Sequence, residues 1–314
     1  MNPFIPLIPR TIQRTLPPNP PPRHLLQTIT TMSTSTTTTT TTPPTGTAPK
    51  TLPKSQIPKG KTELKILMLH GYTQSGPLFS SKTKALSKLL TKALSPAPYN
   101  LHPTLIYPTG PFRLRPSDIP GYIPSDSVDE DEGDNWAWFQ SIATGAYQGF
   151  ASGMRSIATA IADAGGVDGV CGFSQGGAVA ALVASALETP YREPSGTIAP
   201  DGDFETSWVP LLRAANNNAP LKFCVVYSGF YAPPPELQWL YTPPITTPTL
   251  HFLGSLDTVV EESRSQALVE RCVDPTIRVH PGGHYVPVAK EWALCLAGWL
   301  RERYQEPSAT KEVL

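Results

Sequence analysis

One stretch of this chain constrains its fold more than any other. Residues 167–171 form a short apolar run of strand character that leads into Gly172-Phe-Ser174-Gln-Gly176-Gly177, and residues 176–187 continue as a helix of small side chains. A G-x-S-x-G pattern occurs by chance in many chains. Between an apolar strand and a helix it describes a sharp, strained turn that lifts a serine above the end of a sheet. Side chains at Gly172 and Gly176 would have no room in such a turn. The helix N-terminus beneath it presents backbone N–H groups to any negative charge that develops there.

The rest of the chain supplies the sheet that this turn needs. Residues 64–69 read as a buried strand ending at His70-Gly71, 82–94 as a helix, 105–107 as a short strand, and 108–124 as a Pro- and Gly-rich loop. Residues 150–164 read as a helix, and 221–227 and 249–253 as core strands. Residues 263–272 follow as a helix, 276–280 as a strand and 290–304 as a closing helix. Strands alternating with helices predict an α/β fold with a mainly parallel central sheet covered on both faces. The segment 192–218 reads as an insertion or elongated loop.

The domain organisation is expected to be a Pro/Thr-rich extension over residues 1–60, one α/β domain over 61–305, and a tail over 306–314. The extension has no acidic residue before Glu63, carries Arg10, Arg14 and Arg23, and runs through threonines 36–42. It cannot bury enough apolar surface to offset its ordering entropy. Its basic, acid-free character is that of a mitochondrial transit peptide, but the prolines at 17, 18, 20, 21 and 22 would interrupt the amphipathic helix such a signal requires. A plain extension on a cytoplasmic protein is the favoured expectation, with mitochondrial import as the alternative. No apolar run reaches about 18 residues, so no membrane span is expected. The formal net charge of +0 offers no basic field for nucleic acid. The four cysteines, Cys171, Cys224, Cys272 and Cys295, are widely spaced with no CxxC pair, which suits small buried residues in a reducing compartment better than a zinc site or a disulfide framework. The acidic cluster Asp129-Glu-Asp-Glu132 reads as a solvated loop; it lacks the spacing of a calcium loop, and no metal or cofactor is expected.

A serine hydroxyl is a weak nucleophile at neutral pH unless a base takes its proton. Two histidines lie near the C-terminus. His280 ends a predicted strand and reads as structural, whereas His284 follows Pro281-Gly282-Gly283, a loop able to hold an imidazole over the sheet edge. The acid that orients this base is expected just beyond a strand. That selects Asp257 in His251-Phe-Leu-Gly-Ser-Leu-Asp257 over Glu261 and Glu262, which fall at the start of the next helix, where acids serve the helix dipole. The resulting order Ser174, Asp257, His284 is that of α/β-hydrolases and not of chymotrypsin-like or subtilisin-like enzymes. An oxyanion needs the backbone N–H of Gln175 and a second donor from the loop after an early strand. His70-Gly71-Tyr72-Thr73 occupies that place, with Tyr72 the first choice and Thr73 the second; His70 would support the loop.

With these residues assembled, the sequence resembles the fungal and animal FSH family of serine hydrolases, whose animal member is the ovarian-cancer-associated esterase. The carrying motifs are Leu69-His-Gly-Tyr-Thr-Gln-Ser-Gly76, Asp168-Gly-Val-Cys-Gly-Phe-Ser-Gln-Gly-Gly177, Ser228-Gly-Phe230, Gly254-Ser-Leu-Asp257 and Gly283-His-Tyr-Val-Pro287. The resemblance implies cofactor-free hydrolysis of a carboxylic ester or thioester through an acyl-enzyme. It extends to release of polyketide acyl chains from carrier domains in fungal pathways, so the expected partner is a small-molecule acyl ester or thioester, carrier-bound thioesters included. The Thr-rich N-terminus and the 192–218 segment depart from the family pattern. Asn135-Trp-Ala-Trp138-Phe139 falls in the family's variable region, and its aromatics read as an acyl-site wall or, at least as readily, as core. Two other functional classes compete: an interaction protein on a silent hydrolase scaffold, which an intact Ser174, Asp257 and His284 argue against, and a peptidase or lipase, for which no lid helix, signal peptide or peptide-binding domain is evident.

Overall fold

The computed structural model describes residues 57–119, 121, 133–194 and 206–304. The extension up to residue 56, the acidic cluster at 129–132 and the tail lie outside the described residues. Described residues all fall within one compact unit.

Strands β1 (Thr62–Leu69) and β2 (Leu101–Ile106) are joined through helices α1 (Gly76–Lys82) and α2 (Lys84–Leu94). Short strands β3 (Phe112–Arg113) and β4 (Trp136–Ala137) pair with each other, as do β5 (Gln140–Ser141) and β6 (Tyr147–Gln148). Then come α3 (Phe150–Asp163), β7 (Gly169–Phe173), α4 (Gln175–Leu187), α5 (Trp208–Ala215), β8 (Phe223–Tyr227), β9 (Thr249–Gly254), α6 (Glu262–Val269), β10 (Thr276–His280) and α7 (Lys290–Tyr304). The central sheet has the order β10-β9-β8-β7-β1-β2, and every neighbouring pair is parallel. This is an α/β-hydrolase-like doubly covered sheet, as its element pattern predicts.

Alternation along the strands divides the core. From β1, Leu64, Ile66 and Met68 face one side, where they join Phe173, Tyr227 and Phe252 with residues of α2 and α7. Leu67 and Leu69 face the other side, with Val170, Val226 and residues of α3, α4 and α5. Burial on both faces is why these strands read as continuous apolar runs. All thirteen residues of α4 are buried, so its small side chains let it lie close over the sheet.

Three local expectations need correction. The strand expected at 105–107 begins at Leu101 and includes Pro103, which is tolerated because β2 is an edge strand paired only with β1. Helix α1 has no counterpart among the predicted elements; Ser75 caps it by accepting a hydrogen bond from Leu78 N–H at 3.2 Å, ahead of Pro77. The segment expected as a long loop contains α5, whose Trp208, Val209 and Leu212 are buried in the core. Their spacing puts one apolar face on a helix too short to stand out in sequence.

The four cysteines are free thiols, with Cys171, Cys224 and Cys272 buried. Among the described residues, no helix is long and apolar enough to cross a membrane.

Candidate active site

The sheet order places a topological switch between β1 and β7: from β1 the chain moves out to β2, then returns past β1 to β7. Loops leaving the carboxyl ends of these two strands therefore diverge and open a crevice. The loop after β1 carries His70 to Thr73, and β7 ends at Phe173, immediately before Ser174.

Ser174 has φ 53° and ψ −117°, a conformation uncommon for any residue with a side chain. Its backbone is held by its N–H to the Tyr227 carbonyl at 2.8 Å and by Gly177 N–H to its own carbonyl at 2.9 Å. The flanking glycines are sterically required. A Cβ on Gly172 would sit 2.0 Å from the Gly176 carbonyl oxygen, and one on Gly176 would sit 2.2 Å from the Leu69 carbonyl oxygen.

His284 reaches Ser174 from the loop after β10. Its Nε2 lies 2.9 Å from Ser174 Oγ, and its Nδ1 lies 2.8 Å from Asp257 Oδ2. A carboxylate can only accept, so the proton sits on Nδ1 and Nε2 is free to take the serine proton. Asp257, after β9, has a side chain only 7% exposed, and its Oδ1 accepts from the N–H groups of Val259 and Val260, each at 3.0 Å. Burial alone would raise its pKa. The hydrogen bonds from His284 and Val260 N–H, with the nearby Ser228 hydroxyl acting in the same direction, outweigh burial and hold the carboxyl below its usual range.

The competing candidates sit elsewhere. His280 is buried with both ring nitrogens unpartnered, its ring 5.2 Å from Tyr285 and 5.8 Å from Trp292. Glu261 is the N-cap of α6 and Glu262 its first residue.

On the opposite side of Ser174, Thr73 N–H is committed to the Trp136 carbonyl at 3.0 Å. Among the described residues, the N–H groups of Tyr72 and Gln175 make no hydrogen bond. Gln175, first residue of α4, has a second task that its sequence position does not reveal. Its Oε1 accepts from Trp138 N–H at 2.8 Å and its Nε2 donates to the Phe139 carbonyl at 2.9 Å, tying that aromatic segment to the elbow. Trp138 and Phe139 are core residues, 1% and 2% exposed, and Trp136 contributes its carbonyl to the Thr73 loop.

His70 locks the same loop from below. Its Nδ1–H donates to the Gly71 carbonyl at 2.8 Å, and its Nε2 accepts from Gly110 N–H at 2.9 Å. Trp138 Nε1–H donates to the His70 carbonyl at 2.8 Å. Burial lowers the His70 pKa to about 4, against the opposing influence of the Gly71 carbonyl and Asp134. Sequence signals for Gln175 and His70 exist, since both are polar residues beside elements that must be buried, but their partners lie 36 to 40 residues away in the chain. Among the described residues, no three His, Cys, Asp or Glu side chains gather as a metal site.

A sequence profile described as serine hydrolase (FSH1) matches residues 60–294. The chain belongs to this family. It is 31% identical over 245 residues to family of serine hydrolases 2 from Saccharomyces cerevisiae, covering 76% of this chain and 97% of that protein. It is 28% identical over 237 residues to esterase OVCA2 from Xenopus tropicalis, covering 72% and 87% respectively. A Schizosaccharomyces pombe protein named dihydrofolate reductase is 32% identical over 237 residues; the match covers 71% of this chain and only 44% of that protein. Among solved structures, acyl-protein thioesterase 2 from Zea mays aligns with a TM-score of 0.47 at 20% identity, over 79% of this chain and 96% of that one.

Proposed function

We propose that this family member is a cytoplasmic hydrolase of carboxylic esters or thioesters that works through an acyl-enzyme on Ser174. The observation that carries this reading is the continuous hydrogen-bonded path from Asp257 Oδ2 through His284 to Ser174 Oγ, ending on a strained strand-to-helix turn. Membership in a serine hydrolase family with esterase relatives supports the same chemistry.

In the first half-reaction Ser174 Oγ attacks the acyl carbonyl carbon while its proton passes to His284 Nε2. The carbonyl electrons move onto oxygen, where the Tyr72 and Gln175 N–H groups receive the charge, and Asp257 stabilises the imidazolium. Collapse of this intermediate expels the alcohol or thiol, which takes the proton from His284. Water then repeats the sequence on the acyl-enzyme, giving the acid and returning the proton to Ser174. No step calls for a cofactor. The substrate is a small-molecule acyl ester or thioester, carrier-bound acyl thioesters included, and the four free cysteines suit a reducing compartment.

The test is fluorophosphonate labelling together with a panel of esters of increasing acyl length, run beside acyl-CoA thioesters. Wild type is expected to label and to turn over part of the panel. Ser174→Ala should lose both with its fold intact, the loss in turnover being on the order of 10⁴-fold or more. Wild-type labelling of Ser174→Ala, or failure of the wild-type protein to label, would overturn the reading in favour of a silent scaffold.

A further inference from the structure

The carboxyl ends of β1, β7, β9 and β10 each deliver a residue to the site just described. The remaining strand on this side of the switch, β8, lies between β7 and β9 in the sheet and ends at Tyr227. The residue that follows is Ser228, to which the proposed mechanism gives no role.

Ser228 is unusual in three ways. It has φ 45°, a left-handed backbone at a residue with a Cβ. Such strain persists where the surroundings over-determine it, and here they do. Ser228 N–H donates to the Phe252 carbonyl at 2.9 Å, Ser265 Oγ donates to the Gly229 carbonyl at 2.8 Å, and Phe230 packs against Ala178 and Val260. Ser228 is also 1% exposed, and its hydroxyl makes no hydrogen bond of ordinary geometry although it lies close enough to the Asp257 carboxylate to favour its charged form. A buried hydroxyl without a partner is destabilising by about 1–3 kcal/mol, so its retention in a strained, fully enclosed place points to a ligand or a task.

The third feature says which. Ser228 lines a cavity of about 200 Å³ together with Asp257, Ser255, Glu262 and Ser265. Asp257 Oδ1 is taken up by the two backbone N–H groups of Val259 and Val260, and Oδ2 by His284. Each carboxylate oxygen has further lone-pair capacity, and the cavity is where it faces.

We propose that Ser228 is a positioning residue for the acid of the triad, its hydroxyl turning to donate directly to the neighbouring Asp257 carboxylate and thereby fixing the oxygen that orients His284. This inference rests on the catalytic reading above. Without the Ser228 hydroxyl the carboxylate keeps its backbone donors but loses the one that restrains it from the β8 side. Its uncompensated charge then falls more heavily on the His284 Nδ1 proton.

The experiment uses Ser228→Ala and Ser228→Gly in the full chain, with Ser255→Ala as a control from the same cavity. Ser228→Gly matters because it removes the hydroxyl while relieving the positive-φ strain, so a folding defect cannot account for its behaviour. Both Ser228 variants are expected to lose about tenfold or more in kcat at unchanged KM. Both should also move the downfield proton resonance of the Asp257–His284 hydrogen bond further downfield, while Ser255→Ala leaves rate and resonance at wild-type values. Wild-type kcat and an unmoved resonance in both Ser228 variants would overturn the inference. So would recovery of full activity in Ser228→Gly alone, which would assign the effect to backbone geometry. These outcomes are read against Ser174→Ala: if that variant retains turnover, the catalytic reading itself has failed, whatever Ser228 does.

Discussion

Protonation of His70 should destabilise the domain in a specific pH window. In the folded protein its Nε2 accepts from Gly110 N–H and its Nδ1–H donates to the Gly71 carbonyl, so a second ring proton would set N–H against N–H inside the core. Burial puts the folded pKa at about 4, against an ordinary histidine value of 6.5. Because the folded pKa is the lower one, the unfolded chain binds the extra proton first. Stability is then full above about pH 6.5 and falls as pH drops toward 4, at about 1.4 kcal/mol per pH unit. Between pH 6.5 and pH 5 the loss assigned to His70 is about 2 kcal/mol. His251 is also buried, with its pKa lowered to about 4, and contributes its own slope. The measurement is therefore a comparison: urea unfolding of wild type and His70→Gln at pH 7 and pH 5. The glutamine variant is expected to be less stable at pH 7 but to lose about 2 kcal/mol less than wild type on acidification, with the His251 share cancelling. Equal losses in the two proteins would refute the assignment of a locked neutral imidazole beneath the Tyr72 loop.

Asp257→Asn is expected to fold normally and to lose on the order of 10³–10⁴-fold in kcat, because the imidazole loses its orienting anion; full activity there, with loss in Glu261→Gln, would move the acid role. Glu188→Gln should destabilise the domain by about 3–5 kcal/mol in urea unfolding. It would leave the buried Arg192 guanidinium without its ion partner at the end of α4 and weaken the bonds that Glu188 Oε1 accepts from Thr246 and Thr247 N–H, both at 2.6 Å; a change under about 1 kcal/mol would show that this pair is solvated. Gly176→Ala should cost at least about 3 kcal/mol or prevent folding, since its Cβ would meet the carbonyl oxygens of Leu69 and His70 at 2.2 and 2.4 Å; a wild-type melting curve would contradict the elbow geometry. Turnover should be unaffected by EDTA and should not be limited by protonation of Asp257 near neutral pH, because that carboxyl is held below its usual range. Chelator-sensitive turnover that survives His284→Ala would place the chemistry elsewhere.

Much of the site is legible in the linear chain because the chemistry follows strand ends. Ser174, Asp257 and His284 each stand a few residues beyond an apolar run, and a residue just past a strand of a parallel sheet is exposed at one edge. The choice between Tyr72 and Thr73 is not legible there. It depends on the Trp136 carbonyl, which takes the Thr73 N–H from more than sixty residues away. Gln175 reads as a neighbour of the nucleophile; that its side chain also clamps Trp138 and Phe139 is invisible in a linear pattern. Pro103 has the look of a terminator, which shortens the strand that the pattern predicts, and only the one-sided pairing of β2 with β1 explains its presence within the strand.

What the sequence determined by itself is local: an alternation of apolar strands and helices, glycines where a Cβ would collide with backbone, and nucleophile, acid and base in a fixed chain order. Tertiary structure decided which strand ends meet. The order β2-β1-β7-β8-β9-β10 brings residues 110 positions apart to 2.9 Å, and it also slots β8 between the nucleophile and the acid, which is what sets Ser228 against Asp257. Strand order cannot be read from one strand's residues because every buried strand of a parallel sheet carries the same two-faced apolar pattern. Which neighbour it takes is settled by the crossovers and by how helices cover the two faces.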